Sequence, residues 1–98
     1  MHARELRRDT TEASIAEAPE RQPVTVQGAV RTVTLRPRGG VPALEAELYD
    51  GSGVLTVIWL GRRQIAGIGP GRSIRVSGRI GAGHGIRTMY NPRYELLP

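Results

Sequence analysis

From Pro23 onward the apolar residues of this chain recur with a period of two, the signature of strands with one buried face. In VTVQGAVRTVTL, residues 24–35, the apolar set Val24, Val26 and Val30 falls on even positions, then moves to odd positions with Val33 and Leu35. One face of a straight strand cannot hold both sets, because successive side chains point to opposite sides. The pattern predicts a long strand with a bulge or sharp bend between Gly28 and Thr32. RPRGGVP, residues 36–42, reads as a loop, with two glycines to turn it and two prolines that cannot donate to a ladder. ALEAELY, residues 43–49, sets Leu44, Ala46 and Leu48 against Glu45, Glu47 and Tyr49. DGSG then closes a hairpin, since Asp and Gly tolerate the backbone angles of a tight turn. If Tyr49 pairs with Val54, then Glu47 opposes Thr56 and Leu48 opposes Leu55. That register puts Leu55, Val57 and Trp59 on the inner face, so Trp59 reads as core and not as a stacking platform.

After Leu60 the alternation stops, and Ile65, Ala66 and Ile68 suit a short turn packed against one end of a sheet. GPG at residues 69–71 marks a turn. SIRVSGRI alternates again, with Ile74, Val76, Gly78 and Ile80 inward and Arg75, Ser77 and Arg79 outward. GAGHG, residues 81–85, leads to a last strand in IRTMYNPRYELL, interrupted at Asn91 and Pro92. Residues 1–20 form a leader: HARELRRDTTEA suits a short helix, SIAE at Ser14–Glu17 has capping-box spacing, and Pro19 ends the turn. The expectation is therefore two parts, a partly helical or flexible leader over 1–20 and one all-β domain over 21–98. Five strands, the first bent, with a short non-strand segment after the third, fit the five-stranded oligonucleotide/oligosaccharide-binding (OB) barrel. The segment between the third and fourth strands favours this over an SH3-like barrel.

Composition narrows the chemistry. The chain has no cysteine, so only His2 and His84 remain as strong nitrogen ligands, and no metal or other cofactor is expected. No apolar run follows the first arginines and none approaches the length of a bilayer span, so a cytoplasmic location away from membranes is expected. GIGPGR lacks the lysine of a P-loop and GAGHG joins two strands, so both read as turns. Nothing suggests a nucleophile or a catalytic carboxylate pair, and the chain reads as a non-enzyme. All 14 basic side chains are arginine, a choice that suits phosphate contact and that a GC-rich genome also produces. Residues 1–20 carry −2 and residues 21–98 carry +7, so the predicted domain is more basic than the net +5 of the chain and favours an anionic partner.

Three stretches, SIAEAPERQPVTVQGAV, LEAELYDGSGVLTVIWLGRRQIAGIGPGRSIRVSGRI and YNPRYELL, together resemble the OB wedge domain of RecG-type branched-DNA helicases, within the wider group of tRNA-anticodon-like OB domains. The likeness covers roughly residues 14–97. It carries no helicase motor, so it implies a stand-alone module holding single-stranded or branched nucleic acid, and not unwinding. OB domains bind across the outer face of their second and third strands and the loops beside it. By that rule the candidate binding residues are Arg36 and Arg38 on the first loop, Tyr49, Arg62 and Arg63, and His84 with Arg87 before the last strand. Glu45 and Glu47 fall on the same face and oppose phosphates. Few aromatics are present, so binding is expected to depend on phosphates, with little sequence preference and either DNA or RNA as ligand. The alternative is a protein-interaction OB domain whose acidic face or leader docks on a helicase or another partner protein.

Overall fold

The structure, a computed structural model, describes residues 11–81 and 83–98; the side chain of His84 lies outside the described set. Among the described residues seven strands form one sheet: β1 (Thr11–Glu12), β2 (Pro23–Leu35), β3 (Ala43–Tyr49), β4 (Val54–Leu60), β5 (Ser73–Gly81), β6 (Thr88–Tyr90) and β7 (Arg93–Leu96). Their order is β1-β2-β3-β4-β6-β5-β7, and β2 also pairs with β5. β2 does this by bending. Its first half, Pro23 to Ala29, runs against β5, and from Ala29 onward it runs against β3. The register slips between Val30 and Thr32, which makes Arg31 the extra residue and accounts for the even-to-odd shift of the apolar set. Gly28 sits at the bend because a Cβ there would lie 2.7 Å from the Tyr49 carbonyl oxygen, a backbone atom that cannot step aside.

Two features of the expected fold class are corrected. The sheet is a partial ring and not a closed five-stranded barrel, because the expected last strand is two short ones. β6 meets β4 over three residue pairs and β5 over two, and β7 then leaves β4 and pairs only with β5. The break has a local cause. Asn91 adopts φ 50°, its amide donates to the Ile58 carbonyl, and its side-chain oxygen accepts from the Leu60 amide, ending the β4 ladder. Pro92 has no amide with which to resume it.

The second correction concerns the leader: the short helix expected in HARELRRDTTEA lies largely outside the described residues, and the described part holds a two-residue strand and a turn around Ser14–Ala18 but no helix. Ser14 and Glu17 do meet, at 3.4 Å, and the amides of Glu17 and Ala18 reach the Ser14 carbonyl. The turn stops at Pro19, which has no amide to continue the ladder, while the first amides, which a helix leaves unsatisfied, are capped from the β3–β4 hairpin: Ile15 donates to Asp50 at 2.8 Å and Ala16 to the Ser52 hydroxyl at 3.0 Å. Among the described residues no α-helix is present, Gly83–Gly85 being a single 3-10 turn, and no helix is long and apolar enough to cross a membrane.

The β3–β4 register is the expected one, Tyr49 with Val54, Glu47 with Thr56 and Leu48 with Leu55. Leu44, Leu48, Leu55, Val57, Trp59, Ile74, Val76 and Ile80 are buried in one core with Met89, and Ile65 closes it as anticipated. Ile15 and Ala18 are buried in the same cluster, so the turn after β1 seals the core. The Trp59 indole donates to the Pro92 carbonyl and meets Tyr94 edge-on, with ring centroids 5.8 Å apart.

Candidate nucleic-acid interface

The positions that alternate with the core along β3 and β4 make the outer face. Two rows cross it: Thr34, Glu45, Ile58 and Tyr90 in one, Thr32, Glu47, Thr56 and Thr88 in the next. Loop 36–42 rises at one side and the segment Gly83–Arg87 at another, enclosing an open groove of about 780 Å³ whose lining includes Arg36, Arg38, Glu45, Glu47, Ile86, Arg87 and Tyr90. Arg36, Arg38 and Arg87 thus line one groove. The backbone of His84 lies within the same segment, and its side chain falls outside the described residues.

Loop 36–42 is a continuation of the β2–β3 hairpin. Arg36 donates to the Ala43 carbonyl, and Arg38 and Val41 exchange both backbone hydrogen bonds around Gly39 and Gly40. Both glycines have positive φ, 58° and 80°, which a two-residue turn of this hand requires. Arg38 therefore stands at the base of a tight turn. Its Nη2 donates to Glu45 Oε1 at 3.0 Å, and Arg36 Nε lies 3.9 Å from the same oxygen. One carboxylate thus answers two guanidiniums. A guanidinium has five N–H donors, so each arginine keeps donors free, and the side chains stay 61% and 40% exposed. Glu47 has no ion pair or hydrogen bond among the described residues.

Arg87 lines the groove with its head group engaged elsewhere, and Tyr49, Arg62 and Arg63 are not part of the groove lining. Arg87 is turned toward the leader: Nη2 donates to the Ala18 carbonyl, Nη1 lies 4.0 Å from Glu20, and Nε is buried with no partner among the described residues. Tyr49 is exposed at the opposite end of β3, with the Arg31 guanidinium 5.4 Å from its ring centroid, a cation–π contact that the bulge in β2 creates. It borders a second crevice with Gln27, Asp50 and Ser73. Arg62 and Arg63 follow β4; Arg63 lies behind the 36–42 turn with Leu35, Pro37 and Pro42.

Sequence reasoning passed over the apolar side of the groove. Ile58 is only 1% exposed although it faces outward, and Ile86 and Tyr90 are exposed at 59% and 52%. The signal was present in VLTVIWL, where Val54, Ile58 and Leu60 make the outer face of β4 as apolar as the inner one. Tyr90 and Tyr94, equivalent in sequence, separate: Tyr90 enters the groove and Tyr94 packs on Trp59.

At the far end of the β3–β4 hairpin the carboxylate chemistry is different. Asp50 Oδ1 accepts from the Ser52 hydroxyl at 2.7 Å and from the amides of Ser52 and Gly53, while Oδ2 accepts from Ile15. Burial pushes the Asp50 carboxyl up, but the Ser52 hydroxyl and the three amides outweigh it and hold the group below its ordinary value. Among the described residues no group of three or more His, Cys, Asp or Glu side chains is placed to hold a metal ion.

No protein-family model matches the chain, and no curated protein matches it. Solved structures do. The replication factor A related protein of Methanobacterium thermoautotrophicum superposes with a TM-score of 0.66 at 15% identity, covering 89% of this chain and 91% of that one. A replication protein A heterotrimer bound to ssDNA matches at 0.61 and 17% identity, over 78% of this chain and 57% of that one. RecG bound to a three-way DNA junction matches at 0.61 and 21% identity, over 91% of this chain but 12% of that one. This chain thus spans about half of the replication protein A chain and a small part of RecG. The fold is an OB fold.

Proposed function

We propose that the chain is a non-catalytic module that holds single-stranded or branched nucleic acid along the outer face of β3 and β4. The observation that carries this reading is the groove itself: two exposed arginines on a rigid turn, with an aromatic ring and an isoleucine across from them. Arg36 and Arg38 contact phosphates with the donors Glu45 leaves free, and Tyr90 offers a face for a base. Arg62 and Arg63 extend the positive rim past the 36–42 turn, while Arg31 and Tyr49 extend the outer face toward the second crevice. The fold neighbours bound to ssDNA and to a three-way junction support the ligand class.

Fluorescence anisotropy with labelled single strand, fork and duplex, in DNA and RNA, across a salt series, tests the proposal. Neutralising ~4–6 phosphates of a single strand gives a slope of log K against log salt of about −3 to −4. No shift at low salt with any of these ligands would remove the reading. Glu47, without a partner among the described residues and beside exposed apolar residues, favours a second one, a groove that docks a protein segment. That reading expects a partner retained through nuclease treatment and high salt.

A further inference from the structure

We propose that Glu47 gives the groove a preference for bases bearing amino groups, guanine foremost, superimposed on phosphate-driven binding; this rests on the nucleic-acid reading above. The two floor carboxylates are not equivalent. Glu45 is answered by Arg38 and Arg36, whereas Glu47 has no partner among the described residues. When a polyanion covers the groove, a carboxylate without a partner loses water and gains nothing unless the ligand donates to it. Bases differ sharply in that capacity. The Watson–Crick edge of guanine carries N1–H and the N2 amine side by side, matched to the two oxygens of a carboxylate. Cytosine and adenine offer one amine each. Thymine and uracil offer a single N–H between two carbonyl oxygens that repel the carboxylate.

The surroundings suit a splayed base. Glu47 pairs with Thr56 and Thr56 with Thr88, two strand spacings or about 10 Å across. Ile86 and Tyr90, two residues before and after Thr88, stand exposed beside that row. A base stacked on Tyr90, which stands in the neighbouring row with Ile58 and Glu45, meets Glu47 by slanting across Thr56, since the Glu45 carboxylate is already answered by Arg38 and Arg36. Only an unpaired base can do this, because a duplex already occupies that edge.

The test compares oligonucleotides of about twelve nucleotides, long enough for one OB site, in lithium buffer that suppresses G-quadruplexes. Oligo-dT, alternating dT/dG, dT/dC, and dT/dG with inosine replacing guanosine are titrated against wild type and Glu47→Gln. The expected result is that dT/dG binds roughly tenfold more tightly than oligo-dT, with inosine, which lacks the N2 amine, intermediate. Glu47→Gln brings dT/dG to within about twofold of oligo-dT and leaves oligo-dT binding unchanged or tighter. Equal wild-type affinity for all four overturns this inference and leaves phosphate binding standing. A Glu47→Gln variant that keeps the guanine preference, or loses oligo-dT as well, also overturns it. Absence of binding to every strand overturns the proposed function together with it. Should the variant not fold, the inosine series on the wild type decides alone.

Discussion

The two ends of the β3–β4 hairpin use carboxylates in opposite ways. At the turn, Asp50 is saturated by its own chain, taking three amides and a hydroxyl and binding the leader to the sheet. At the groove, Glu45 is shared thinly between two exposed arginines and Glu47 has no described partner. A charged group satisfied internally holds structure, whereas hydrogen-bonding capacity left over at a surface is available to a ligand. The +7 of residues 21–98 does not single out a surface; the pattern of satisfied and unsatisfied groups is what marks the groove as the candidate.

The contrast breaks most clearly at the leader. Ile15→Ala removes a fully buried side chain from the core and is expected to cost about 2–4 kcal/mol in chemical denaturation. Groove binding by the folded fraction should be unchanged. Asp50→Ala leaves the Ile15, Ser52 and Gly53 amides without their acceptor, and about 1–2 kcal/mol is the expected loss. The same variant tests the pH dependence. Because the folded carboxyl sits below its ordinary value, its contribution is fully present above the unfolded value of about 4 and disappears as pH falls through the folded one. Wild-type stability should therefore fall more steeply below pH ~4 than that of Asp50→Ala in parallel urea titrations.

Effects at the groove should be smaller on stability and confined to binding. Arg36→Ala with Arg38→Ala is expected to weaken single-strand binding roughly tenfold and to flatten the salt slope by about 1.4, two phosphates' worth, with little change in melting temperature. Glu45→Gln frees both guanidiniums from their shared carboxylate. Affinity should rise a few-fold and the salt slope steepen, while stability moves by less than ~1 kcal/mol because the pair is exposed. A fall in affinity would mean that Glu45 positions the arginines more than it restrains them.

Much of this protein was decided by the order of its residues. Period-two alternation set the faces of β3, β4 and β5, the DGSG turn set the β3–β4 register, and the odd-even shift announced the bulge, because each depends on neighbours a few positions apart. The arginines of loop 36–42 were visible for the same reason. Only the tertiary structure decided which long-range partner each group met. It tied the first amides of the leader turn to Asp50 and Ser52; it split the last strand at Asn91 so that Tyr90 and Tyr94 parted; and it turned Arg87 toward Ala18 and Glu20. Those contacts join segments tens of residues apart, and no local pattern encodes which of several chemically equivalent donors reaches a given acceptor first.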